Sequence, residues 1–267
     1  MTTSPLAALV LRLAGPLQAW GRYSELNRRE VASAPTKSGI IGLLAAARGT
    51  RRGEPIEDLL CLNLAVRIDS PGSVMRDYHT VSDYRGEPLP SSAVNAKGRQ
   101  RRTAPPKMIA VTQRFYLQDA VFVAAVQGER SMIHSLAEAI RRPQFPLALG
   151  RRSCVPTQPL LLTHPVSGLG SWEEPLVEIL RNVPWQGGPH PRQGQEASYN
   201  GIQRLPAIVD ADASSEGYIE AVTDVPVSFG HLSRSFTSRQ VRHFWVDAPA
   251  VVDADPGVHG FALLGGI

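Results

Sequence analysis

Three observations predict an α+β fold for this chain of 267 residues. Short apolar runs of strand character alternate with segments whose apolar residues recur near every 3.6 positions. Proline (22) and glycine (23) are together abundant, which favours many turns and disfavours a helical bundle. A long cation-rich segment separates the second strand-like run from the third, and insertions of that length inside a compact domain are usually functional or disordered.

The elements follow in chain order. Leu6–Leu13 is apolar except for Arg12 and is closed by Gly15-Pro16, so it reads as a buried first strand. A loop from Gly15 to Pro35 carries Gln18, Trp20, Arg22, Tyr23, Arg28 and Arg29. Pro35-Thr36-Lys37-Ser38-Gly39 then leads into Ile40, Ile41, Leu43, Leu44 and Ala47, one apolar helix face with Thr36 or Ser38 as cap and Gly49 as stop. Leu62–Ile68 alternates as a second strand. Phe115–Val126 reads as one long third strand, and Met132–Arg142, capped by Ser131, as a second helix with Ile133, Leu136, Ala137 and Ile140 inward. Leu147–Leu149 or Leu160–Leu162 supplies a fourth strand. Strand, helix, strand, hairpin, strand, helix is the split βαβ order of ferredoxin-like domains.

Residues 1–165 are therefore expected to form the ferredoxin-like domain, with 166–267 an irregular β extension packed on it. In that extension Leu176–Val183 suggests a short helix, 186–201 a Gly/Pro/Gln-rich loop, 207–224 an acidic stretch and Val241–Val246 a late strand.

Charge is distributed unevenly. Residues 76–114 hold eight Lys/Arg (Arg76, Arg85, Lys97, Arg99, Arg101, Arg102, Lys107, Arg114) against Asp77, Asp83 and Glu87, although the whole chain carries only +4. Unpaired cations at that density are too costly to bury, so they face water or a polyanion, of which nucleic acid is the commonest. Tyr78, His79, Tyr84, Asn95, Gln100, Gln113, Phe115 and Tyr116 flank them. Single-stranded nucleic acid is held by that combination, cations on phosphates and planar groups on bases.

Three further segments could meet phosphate. Lys37 and Ser38 open a helix, where free N–H groups attract anions. They are not a Walker motif, since Thr36 and Val31 stand where glycines are required. Gly150-Arg151-Arg152-Ser153 combines a turn glycine with two forked donors. Residues 231–242 lack acids and include Arg234 and Arg239.

Other chemistries find no support. Two cysteines, Cys61 and Cys154, give no metal spacing or disulfide framework and are expected as small buried apolar groups in a reducing cytoplasm. The seven histidines form no HExxH, and no metal or other cofactor is expected. No signal peptide or bilayer-spanning window is seen. Tyr78-His79 is the one pair suited to metal-independent RNA cleavage, though neighbours on a strand point to opposite faces.

Leu11–Gly21 (LRLAGPLQAWG), Pro35–Leu44 (PTKSGIIGLL), Arg76–Val81 (RDYHTV), Leu149–Cys154 (LGRRSC) and Ser235–Arg239 (SFTSR), taken together, resemble the CasD subunits of type I-E CRISPR Cascade, of the RAMP superfamily. The resemblance covers about residues 6–245 and is poorest over 184–215. It implies an RRM-like domain with a protruding β-hairpin thumb, here about 76–114. It further implies a non-catalytic cytoplasmic subunit that grips the 5′ handle of CRISPR RNA, caps a backbone of CasC subunits and touches the large subunit CasA, so that the guide can direct the assembled complex onto foreign DNA in antiviral defence. The RNA contacts expected from both lines are Gln18, Trp20, Lys37, Ser38, Arg76, Tyr78, His79, Arg99, Arg101, Arg102, Lys107, Arg114, Gly150, Arg151, Arg152, Ser153, Arg234 and Arg239. Related subunits of another CRISPR subtype cleave RNA, so an endoribonuclease acting on CRISPR repeats is the alternative, and a protein–protein adaptor a third reading.

Overall fold

A computed structural model of the chain describes residues 5–21, 27–83, 108–168, 170–187, 201–211, 216–230 and 234–250. Eleven strands and four helices occur among them. The strands are β1 (Leu6–Ala14), β2 (Leu17–Gln18), β3 (Arg28–Arg29), β4 (Asn63–Ser70), β5 (Ser73–Asp83), β6 (Met108–Gln118), β7 (Val121–Glu129), β8 (Leu161–Leu162), β9 (Ile202–Asp210), β10 (Tyr218–Ser228) and β11 (Ser235–Pro249). The helices are α1 (Lys37–Arg48), α2 (Glu57–Leu60), α3 (Arg130–Arg141) and α4 (Leu176–Asn182).

One seven-stranded sheet, ordered β10-β11-β9-β4-β7-β1-β8, forms the body. Its middle is the ferredoxin-like unit: β1 and β4 both pair antiparallel with β7 and so run parallel on either side of it. The sheet is covered on both faces, which explains why β1 is apolar at nearly every position rather than alternating. Leu9, Leu11 and Leu13 join a core with Ile40, Leu44, Ile133 and Leu136 of α1 and α3. Ala8 and Val10 face Ile179 and Leu180 of α4, with Trp172 and Trp185. The C-terminal residues extend this same sheet, because β9 pairs with β4.

Local chemistry sets the helix ends. Thr36 caps α1 by accepting the Gly39 N–H at 3.2 Å. Gly49 closes it with φ +89°, a left-handed conformation that glycine adopts without strain. Ser131 does not cap α3. Glu129 is the cap residue, its side chain making no capping bond to a helix backbone N–H, and Ser131 Oγ donates to the Glu129 carboxylate at 2.7 Å.

Three other expectations are corrected. Phe115–Val126 is two strands, broken at Asp119, the one non-glycine with positive φ (54°) among the described residues. The fourth strand of the unit shrinks to Leu161–Leu162. Cys154 is buried, but Cys61 is exposed, its thiol donating to the Asp58 carbonyl at the end of α2.

Candidate nucleic-acid interface

The cation-rich segment begins as a continuation of the central hairpin. β4 and β7 pair up to Ser70 opposite Val121, and β5 and β6 resume with Ser73 opposite Gln118, in unbroken register to Asp83 opposite Met108. Between them the ribbon bends out of the large sheet at two positive-φ residues, Gly72 (φ +68°) and Asp119. A Cβ on Gly72 would lie 2.4 Å from the Gln118 carbonyl oxygen, so the bend requires glycine there. Eleven paired residues on each strand make an arm roughly 35 Å long. Residues 84–107, which include Arg99, Arg101, Arg102 and Lys107, lie outside the described residues.

The root of the arm is braced on one edge. β2 pairs with Leu117–Gln118 and β3 with Gln113–Arg114, giving a second, four-stranded sheet. Arg151 completes the brace. It donates to the Phe115 carbonyl at 3.0 Å and the Arg29 carbonyl at 3.2 Å, and its guanidinium lies 4.6 Å from the Tyr116 ring centroid. The turn that delivers it depends on Gly150 (φ +95°), where a Cβ would meet the Ala19 carbonyl oxygen at 2.0 Å. Arg152 and Ser153 stay exposed on the same turn.

Alternation gives the arm two chemically different faces. Val74, Arg76, Tyr78 and Thr80 share one with Leu117, Phe115, Gln113 and Val111. Arg28 of β3 adds its guanidinium 4.9 Å above the Phe115 ring on this side. Met75, Asp77 and His79 share the other with Tyr116, Arg114 and Thr112. There Arg114 Nε donates to Thr112 Oγ1 at 3.2 Å, and His79 Nδ1 lies 3.5 Å from Asp77 Oδ2. Tyr78 and His79 thus point away from each other. A groove of about 320 Å³, lined by Val31, Ser33, Pro71, Gly72, Val74 and Leu117, runs along the root.

Several residues singled out in the sequence sit elsewhere, for clear physical reasons. Trp20 is fully buried and donates its indole N–H to Gln18 Oε1 at 2.9 Å, so it presents no face to a base. Gln18 is also fully buried, donating to the carbonyls of Leu13 (3.0 Å) and Ala120 (2.7 Å), which ties β1 to the foot of the arm. The start of α1 does hold an anion, but the anion is Asp224, which accepts the Lys37 backbone N–H at 2.7 Å. Lys37 Nζ pairs with Asp210 at 2.9 Å. Arg239 pairs with Asp224 at 2.7 Å and with Asp210. Burial works against the Arg239 charge, but the hydrogen bond to Asp224 and the two carboxylates outweigh it and hold its pKa above the ordinary value. Lys37 and Arg239 are therefore neutralised internally and clamp β9, β10 and β11 to α1. Ser38 is half-buried, its hydroxyl 3.3 Å from that of Thr36. Arg234 is exposed at the far β10–β11 turn, over Phe236.

Arg28 and Arg29 lie at the candidate interface although no pattern in the chain singles them out. They sit in a loop of no periodicity, and only the two-residue pairing with β6 brings them to the arm. No group of three or more His, Cys, Asp or Glu suited to a metal ion occurs among the described residues. No helix among them is long and apolar enough to cross a membrane.

A split βαβ sheet that sends out a braced two-stranded arm, leading into a cation-rich stretch of sequence, defines a ferredoxin-like protein built around a protruding hairpin. Comparison with known proteins makes this specific. The chain belongs to the family described as "CRISPR-associated protein (Cas_Cas5)", whose model matches residues 8–242. It is 35% identical over 173 residues to the CRISPR system Cascade subunit CasD of Escherichia coli (strain K12), covering 58% of this chain and 69% of that protein. A solved chain of a CRISPR RNA-guided surveillance complex superposes with a TM-score of 0.67 at 31% identity, covering 94% of this chain and 95% of that one. The crystal structure of a Cas protein superposes with a TM-score of 0.61 at 33% identity, covering 89% and 94%.

Proposed function

We propose that this chain is the subunit of a CRISPR surveillance ribonucleoprotein that holds the 5′ handle of the guide RNA on its hairpin arm. In this reading it caps the backbone of CasC subunits, contacts CasA, and acts by holding rather than cutting. The observation that carries the reading is the arm itself: an extended ribbon braced at its root, with Arg76, Arg114 and Arg152 at or near its faces and further cations (Arg85, Lys97, Arg99, Arg101, Arg102 and Lys107) in the segment it leads into. Membership of the Cas5 family and the likeness to a Cascade subunit support it. Phosphate contacts of this kind fix register without reading sequence, and removing any of them lowers the salt dependence of binding.

The opposite orientations of Tyr78 and His79 argue against an acid–base pair at the arm, so the holding role is preferred over the endoribonuclease. The test is binding of repeat-derived RNA to the full chain as a function of salt. Arg99→Ala/Arg101→Ala/Arg102→Ala, and separately Arg114→Ala/Arg152→Ala, are expected to weaken binding and flatten the slope of log K against log salt by about one for each phosphate left without its cation. Unchanged affinity and slope in both variants would refute the proposal. So would discrete cleavage of the RNA in EDTA that disappears in His79→Ala.

A further inference from the structure

The two faces of the arm differ in more than charge. On one, a single row crosses three adjacent strands: Tyr78 of β5 lies directly opposite Gln113 of β6, which lies opposite Arg28 of β3. Tyr78 is 68% exposed, unusual for an aromatic ring in the middle of a long strand. Gln113 and Arg28 bring an amide and a guanidinium, both planar, at strand spacings of about 4.8 Å. Arg28 is steadied from below by the Phe115 ring and from the side by Glu30 at 2.7 Å, which fixes its plane and offsets part of its charge.

We infer that this row is a nucleobase subsite for an unpaired purine, with Tyr78 as the stacking platform and Gln113 as the edge reader. The inference rests on the RNA-holding role proposed above. A base stacked on Tyr78 covers one strand, and only a two-ring base reaches one strand spacing further to the Gln113 side chain. The amide offers an acceptor and a donor side by side, the complement of the N6–H and N7 groups on the open edge of adenine. Arg28, on the far side of Gln113, closes the row with a planar cation. Division of labour follows: phosphates on Arg114 and Arg152, a base on Tyr78 and Gln113. A neighbouring protein subunit seated on Tyr78 is the competing occupant, disfavoured because the groups directly across the ribbon from the ring are an amide and a partly neutralised guanidinium.

The probes are fluorescein-labelled 12-mers of oligo(A) and oligo(U), titrated against the full chain at several salt concentrations. The wild type is expected to prefer oligo(A). Tyr78→Val, an exposed strand position given a strand-forming residue, is expected to lose about tenfold or more on oligo(A), the size of one base–aromatic stack, with the salt slope unchanged. Tyr78→Phe is expected to keep the preference, and Gln113→Glu, which removes the amide donor while keeping the shape, to abolish it. If Tyr78→Val keeps the oligo(A) preference while Arg114→Ala/Arg152→Ala still flattens the salt slope, the subsite is wrong and the holding role stands. If Tyr78→Val, Arg114→Ala/Arg152→Ala and Arg99→Ala/Arg101→Ala/Arg102→Ala all leave affinity and slope unchanged, both fail. A Tyr78→Val chain that binds both RNAs normally but no longer enters the assembled complex would assign this face to a protein and overturn the subsite.

Discussion

Replacing Gly150 by alanine tests whether the turn that seats Arg151 depends on close backbone approach or on backbone flexibility alone. Two costs are separable. An L-residue at φ +95° is strained by about 1 kcal/mol. Beyond that, the new Cβ would lie 2.0 Å from the Ala19 carbonyl oxygen and 2.6 Å from its carbon, both backbone atoms that no rotamer change can move. Relief requires a shift of more than about 1 Å, which breaks the Ala19 N–H bond to the Leu149 carbonyl (2.9 Å) and disturbs the buried Leu149 side chain, together about 2 kcal/mol. The expected total is about 3 kcal/mol. Gly53 provides the control, with φ +88° and nothing within 4 Å of its would-be Cβ, so Gly53→Ala carries only the first cost. Urea unfolding followed by far-ultraviolet circular dichroism is the assay. For a slope of about 3 kcal/mol per molar, the Gly150→Ala midpoint falls by about 1 M and the Gly53→Ala midpoint by about a third of that. Coincident midpoints would show that the contact with Ala19 does not constrain the turn.

Further outcomes follow from the same contacts. Asp224→Asn leaves Lys37 and Arg239 sharing one carboxylate in a poorly hydrated site and is expected to cost about 3 kcal/mol in the same unfolding assay. Trp20→Phe leaves Gln18 Oε1 buried without its donor and opens a small cavity, lowering stability by about 2–4 kcal/mol, while the salt slope of RNA binding is unchanged because Trp20 is in the core. The Arg48 hydrogen bond, aided by its charge, holds Asp58 below the usual carboxylate range, so this pair stabilises the fold above about pH 5 and loses that effect as pH falls through the lowered value. Asp58→Asn should therefore show a small deficit at pH 7, below about 1 kcal/mol for so exposed a pair, that closes by pH 3 in a series of thermal melts.

The parts of this fold that could be read from sequence are those in which one residue type serves one environment. The apolar periodicity of Ile40, Leu44, Ile133 and Leu136 could belong only to helices on a sheet, and both helices are where it places them. The break in the third strand was invisible because Asp119 follows an apolar run that continues unchanged at Val121 on the far side of the bend. Periodicity reports which face is buried, not which sheet buries it. The sequence marks 207–224 only as acidic, because the partners of Asp210 and Asp224, Lys37 and Arg239, are remote in sequence. Those two acids, carried on strands β9 and β10, are the neutralising half of an internal clamp. The same clamp explains why Lys37 and Arg239 resembled phosphate ligands: a helix start with a lysine attracts an anion whatever its source.

Charge therefore has to be read together with what each cation touches, and the root of the arm shows the difference. Arg67 sits in the middle of β4, fully buried, with both carboxylate oxygens of Asp69 on its guanidinium and the carbonyls of Leu180, Val183 and Pro184 around it. Every direction is filled, and its work is to fasten α4 to the sheet. Arg151 donates to two carbonyls and stacks on Tyr116, leaving only its outer face free, so it sets the pose of the arm. Arg152, one residue further on, is exposed. Along this series the guanidinium passes from structural fastener to brace to exposed surface group. The bend at Gly72 and Asp119 carries the ribbon out of the large sheet and away from Asp69, so Arg76 and Arg114 lie beyond the carboxylate that satisfies the first kind.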